Sequence, residues 1–348
     1  VQITYYLAIV IFIYAIGLFI SLCVDKTKRA LIKRFFAASA LLLVIGCIGI
    51  ATNANKLIPT YEYTPYTMRG GSELSSDSDT HNDKGLDLEY ATAWSYGIEE
   101  IPNLLIPNFN GGSSSGALDT DSETGKLLKR AGQPNLRQTL RHMPLYWGPQ
   151  PFTAGPMYMG AITIFLCVLG FFVLRSGLRW WIGGVSLLAL MLGWGYHLMP
   201  VSEFFFNWAP MYNKFRTVSM ILVILQVLIP VLGVLAANEI LFGEDYEGKK
   251  QRVQKGLYWA LGLTAGVCAL FAVLPSLAGT FISASDGQLP GEIAVALAND
   301  RAAMLSSDAW RSVFFIVAAF AVIFLAYRKI WIKPVTAAII LAALVLVD

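Results

Sequence analysis

Eight apolar runs, each close to the length that crosses a lipid bilayer, dominate this 348-residue chain. They are Ile3–Val24, Phe35–Thr52, Gly155–Leu174, Trp180–Leu198, Thr217–Ile240, Leu257–Gly279, Trp310–Tyr327 and Trp331–Val347. A hydrocarbon core of about 30 Å takes about 20 apolar residues in a helix. Charge stays out of the run centres and occurs only near edges, as at Glu239 and Arg311. A membrane β-barrel would show shorter segments of alternating polarity instead. The chain therefore reads as an all-α polytopic membrane protein of about eight transmembrane helices. Its 14% charged residues, against about 25% in soluble domains, exclude a disordered chain, a nucleic-acid-binding domain and an ordinary cytosolic enzyme. With 26 Lys+Arg against 23 Asp+Glu, the balance carries no polyanion signal.

Basic residues alternate between the links. Lys26, Lys28, Arg29, Lys33 and Arg34 follow the first run, and Arg175 and Arg179 the third. Lys249, Lys250, Arg252 and Lys255 follow the fifth, and Arg328, Lys329 and Lys333 the seventh. The positive-inside bias places these four links in the cytoplasm. The long segment after the second run then faces outside. The organisation expected is a helix pair over 1–52, an extracytoplasmic loop region of short interfacial helices over 53–154, and six helices over 155–348. Position 1 is Val and the last run reaches the end, so an interior piece of a longer polypeptide is expected, with an odd number of spans before it if the true N-terminus is cytoplasmic. Cys23, Cys47, Cys167 and Cys268 all fall in apolar stretches and read as small buried hydrophobes.

Chemistry is expected in the outer segments. Residues 53–153 hold 12 acidic and 8 basic side chains. The stretches SELSSDSDTHNDKG and NGGSSSGALDTDSETGK are too polar to bury a core and are expected to be flexible. Asp77, Asp79, His81 and Asp83 alternate, but lack the Gly and Glu that a calcium loop needs at its sixth and twelfth positions. A solvated acidic loop is the plainer reading, and a divalent cation is the one cofactor left open. No phosphate loop, dinucleotide fingerprint or zinc-protease motif is present, and three histidines are too scattered for a metal centre.

Glu99 and Glu100, adjacent and beside apolar residues, are the candidate catalytic carboxylates; a carboxylate shielded from water gains proton affinity and can act as a base. A cap or an ion pair is the structural alternative. For phosphate, Lys214 and Arg216 rank first, because they precede the start of an apolar helix near Thr217 on the outer side. Arg137 and Arg141, four apart and flanking His142, form a second basic group if that piece is helical. Contact with lipid headgroups explains either set equally well.

Four segments, VQITYYL, WSYGIEEIPNLLIPNFNGG, LYWGPQPFTAGPMYMGA and FNWAPMYNKFRTVSMILVI, resemble the bacterial YfhO-like membrane protein family in its Bacteroidota form. That family is similar to GT-C-type glycosyltransferases. The resemblance implies an outward-facing site taking a sugar from a polyprenyl phosphate to a cell-envelope acceptor, with membrane lipids and the lipid-linked sugar as partners and no nucleic acid. It carries Glu99 and Arg216 as site residues, and implies that a main catalytic base on the first outer loop precedes Val1. A transporter or flippase ranks second, since span centres lack the ionisable residues that ion-coupled transport uses. A non-catalytic envelope scaffold is the third reading.

Overall fold

A computed structural model describes residues 1–67, 69, 85–244 and 248–348. Among them there is no strand, only one isolated bridge between Gly116 and Met143. Helices are what a chain this apolar must form, since every backbone amide inside a bilayer needs an internal partner.

The helices run α1 Gln2–Val24, α2 Ile32–Thr52, α3 Ala54–Tyr63, α4 Leu88–Thr92, α5 Glu123–Arg130, α6 Leu136–Leu140, α7 Ala161–Val173, α8 Leu178–Gly193, α9 Met199–Trp208, α10 Val223–Leu241, α11 Lys249–Val273, α12 Gly291–Tyr327 and α13 Pro334–Val347. Among the described residues, five helical stretches are long and apolar enough to cross a membrane: Gln2–Val24, Arg29–Thr52, Val218–Leu241, Lys249–Val273 and Gly291–Tyr327. A sixth is the pair α8 and Gly195–Trp208, if its 112° bend belongs to one span. The remaining two of the eight apolar runs form the shorter helices α7 and α13.

The chain divides into two compact units, residues 1–95 with 187–224, and residues 96–186 with 225–348. In the first, α2 buries no side chain at all, and Leu41, Leu43 and Ile50 are each more than half exposed. Such a surface is unsuited to water and suits lipid. The start of α1 is tied to the segment before α10: Tyr5 Oη donates to the carbonyl of Pro210 at 2.8 Å, and Gln2 Nε2 to that of Arg216 at 3.0 Å. The bend after α8 turns at Gly195, whose φ of +47° suits glycine, and whose missing Cβ leaves room for Ser95 Oγ.

In the second unit α7, α11, α12 and α13 enclose an apolar core that includes Phe165, Leu169, Leu257, Ile316, Ala319 and Leu341. Small residues permit close approach: Gly170 lies against Leu232 and Gly256 against Phe172. At 37 residues α12 is about 55 Å long, well beyond a 30 Å hydrocarbon core. Its first half is the post on which the polar segments are mounted. Asp300 accepts from the amides of Glu123 and Thr124 at 2.8 and 2.9 Å, closing the start of α5. Arg301, fully buried, pairs with Asp286 at 2.6 Å and donates to the carbonyls of Phe281 and Pro144. Leu297 packs among Leu128, Leu140, Met143 and Leu145.

Two expectations change here. The stretch NGGSSSGALDTDSETGK is not a free loop: Ser114 N donates to Thr153 O, Gly116 pairs with Met143, Leu118 N donates to Leu140 O, and Ser122 caps α5. Composition missed this because the stretch is held by its backbone and by α12, rather than by its own side chains. The segment IPNLLIPNFNGG, expected to lie along a surface, is packed inside the protein. Asn103, Leu104, Leu105, Ile106 and Phe109 are buried within the unit, and Ser312 Oγ donates to Leu105 O at 3.0 Å. Asp77, Asp79, His81 and Asp83, with nearly all of SELSSDSDTHNDKG, lie outside the described residues.

Candidate functional site

Arg216 stands in the first unit, between Phe215 and a tight turn at Thr217 whose φ is +64°. The turn does not open an α-helix. Val218–Leu222 is a single 3₁₀ stretch, and α10 begins only at Val223. The amides there are already engaged, Thr217 N with Ala91 O at 3.1 Å and Ser219 N with Trp94 O at 3.3 Å. An anion at Arg216 therefore has the guanidinium to bind, not a helix N-terminus, and that half of the expectation is corrected.

The guanidinium itself is well placed. Its Cζ lies 5.1 Å from the Trp94 ring centroid and 5.3 Å from that of Tyr90, and Nη1 donates to Tyr90 Oη. Asp87 starts this arrangement by capping α4 through the amide of Tyr90 at 3.0 Å, which presents Tyr90 and Trp94 one turn apart. The rings take the face of the guanidinium and leave edge N–H groups of an exposed residue for a ligand. Lys214 is partly buried and directs Nζ to the carbonyl of Arg69 at 2.5 Å. Close by, Tyr212 is buried with its hydroxyl lacking a hydrogen-bond partner, and burial pushes that phenol well above its ordinary range.

The two adjacent glutamates, in the second unit, have opposite surroundings. Glu100 is wholly buried: Oε1 accepts from Tyr146 Oη at 2.7 Å, and Oε2 from Gly97 N at 2.7 Å and Gln150 Nε2 at 3.0 Å. Tyr96 Oη donates to its main-chain carbonyl. Burial raises the carboxyl above the usual glutamate range, although the three donors oppose this. Every oxygen is occupied, so Glu100 is a brace that ties residues 97–104 to the LYWGPQP segment. Glu99, one residue earlier, is exposed and lacks the shielding from water expected of it. The paired-carboxylate expectation thus resolves into one structural residue and one accessible one.

Arg137 lies within the one-turn helix α6 and lines a cavity of about 570 Å³ with Lys129 and Asn135. Arg141 falls on the C-cap of α6, and His142 Nδ1 is 3.1 Å from Ser115 Oγ. The helix is too short to present both arginines on one continuous face. Among the described residues no group of three His, Cys, Asp or Glu side chains is arranged to hold a metal ion.

Sequence reasoning missed Tyr90 and Trp94 as partners of Arg216, and Tyr146 and Gln150 as partners of Glu100. The Asp87 cap was a readable local signal for α4, but the pairing of Tyr90 with a residue 126 positions away was not. No family model, no curated protein and no solved structure matches the chain.

Proposed function

We propose that this chain is an integral-membrane glycosyltransferase of the YfhO-like, GT-C-similar kind, with about eight spans when α7 and α13 are counted. It moves a sugar from a polyprenyl-phosphate donor to a cell-envelope acceptor on the outer face of the bacterial inner membrane. The observation that carries this reading is the exposed Arg216 guanidinium, fixed over two aromatic rings with hydrogen-bonding edges left over. A planar cation of this kind suits a phosphate oxygen pair, and rings beside it suit a sugar face.

In this reading Arg216 holds the donor phosphate and offsets the charge that grows on it as the glycosidic bond breaks. The acceptor hydroxyl oxygen attacks the anomeric carbon as its proton passes to a base, and polyprenyl phosphate departs with the bonding electrons.

A charge-assisted hydrogen bond contributes about 1.5–3 kcal/mol. Arg216→Ala is therefore expected to weaken binding of a polyprenyl-phosphate sugar by about 10–150-fold. Arg216→Lys, which cannot make the planar double contact, should recover only part of it. Unchanged donor binding in Arg216→Ala would remove this residue from the site.

A further inference from the structure

The basic start of α11 and the basic connection between α12 and α13 are about 80 residues apart in sequence, yet they line one cavity of about 800 Å³ at one end of the second unit. Its lining includes Lys249, Lys250, Arg328, Lys329, Lys333 and Trp331. Lys249 is not available to a ligand: it is buried, and its Nζ donates to the carbonyls of Gly243 and Glu244 at 2.7 and 2.8 Å, which closes the end of α10. The other four cations are exposed.

The two helix starts at the cavity favour an anionic occupant. Neither α11, which begins at Lys249, nor α13, which begins at Pro334, has a side-chain cap. Both starts line the cavity, so two helix ends of positive potential meet four exposed cations. The connection between α12 and α13 holds Lys329 and Trp331 at φ of +56° and +62°, conformations that side-chain-bearing residues rarely adopt. That turn leaves the Trp331 ring 95% exposed.

An exposed indole on a basic rim is poorly suited to water and well suited to the headgroup layer. Phe242, Ile330 and Val335 are also exposed around the same end. The apolar rim continues along helices long enough to span a bilayer, which favours a lipid over a free phosphate.

We propose that this cavity is a binding site for the phosphate of an anionic phospholipid headgroup, with the acyl chains along the helices and Trp331 at the glycerol level. The proposal rests on the reading of α10, α11 and α12 as membrane spans and is independent of the transferase chemistry. Each juxtamembrane cation contributes about a fivefold factor to association with an anionic lipid.

The test is native mass spectrometry of the full chain in detergent micelles titrated with phosphatidylglycerol, phosphatidylcholine, or inorganic phosphate. The variants are Lys329→Gln/Lys333→Gln and the charge-preserving Lys329→Arg/Lys333→Arg. Wild type and the arginine variant should bind phosphatidylglycerol in preference to phosphatidylcholine, with the preference falling as salt rises. The glutamine variant should lose about 25-fold in phosphatidylglycerol affinity and keep its phosphatidylcholine binding. Equal phosphatidylglycerol binding by wild type and the glutamine variant would overturn the proposal. So would saturable inorganic phosphate that displaces the lipid, since the occupant would then be a soluble anion.

Discussion

Removing the Arg301 guanidinium tests whether the first half of α12 is the post that holds the polar segments. Arg301 and Asp286 are 0% and 3% exposed, and the guanidinium makes two contacts to Asp286, at 2.6 and 3.0 Å, and two to main-chain carbonyls. Arg301→Met keeps much of the apolar bulk but leaves a buried carboxylate whose remaining donor is the Ser283 amide, together with two bare carbonyls. Breaking one side of a buried pair costs about 3–5 kcal/mol, more than an exposed ion pair could ever contribute. Asp286→Asn in the same background removes the stranded charge, so the double variant should be less destabilised than the sum of the singles, by about 1–3 kcal/mol. Unfolding by SDS in mixed micelles, followed by near-ultraviolet circular dichroism, reads these differences. A loss under about 1 kcal/mol for Arg301→Met, with additive singles, would refute the idea that this pair organises the unit.

Three further outcomes rest on particular residues. Burial raises the Glu100 carboxyl, so its folded titration lies above the ordinary glutamate value of 4.5. The stability it gives is therefore complete below that pH and is lost as pH rises through the folded titration. The advantage of wild type over Glu100→Gln in melting temperature should shrink from about pH 4 upward, and an advantage that grows with pH would contradict the burial argument. Gly195→Ala places a Cβ 1.8 Å from Ser95 Oγ at a left-handed φ, so it should destabilise by at least about 1–2 kcal/mol from the backbone alone, read as a lower melting temperature. Cysteines placed at Ser114 and Lys250 should react with impermeant maleimide from opposite sides of the membrane, and labelling of both from one side would break the orientation.

Much of the helical framework was legible because its signal is local. About twenty apolar residues in a row have one good solution in lipid, and α1, α2 and α10 fall where the runs lie, while α11 runs Lys249–Val273 against an expected Leu257–Gly279. The continuation of α12 back to Gly291 was less visible, because its first half mixes Asp300 and Arg301 with Leu297 and Leu305, each facing a different neighbour. The polar stretch after Asn110 misled through composition: its order comes from contacts to Thr153, Met143 and Asp300 that no local window contains. The same holds at the candidate site. Arg216 was legible as a cation just before an apolar run, but not the two rings that fix it. Glu99 and Glu100 looked equivalent as a pair until Tyr146 and Gln150 closed around one of them.

Release of polyprenyl phosphate from a polyprenyl-phosphate sugar is the most direct measure of the proposed chemistry. The full-length protein would be reconstituted in proteoliposomes with radiolabelled donor and an envelope-polymer acceptor outside. The expected result is label appearing in the acceptor with matching release of polyprenyl phosphate, reduced in Arg216→Ala by weaker donor binding. Donor that stays intact with wild type, or transfer at the wild-type rate in Arg216→Ala, would contradict the proposed site.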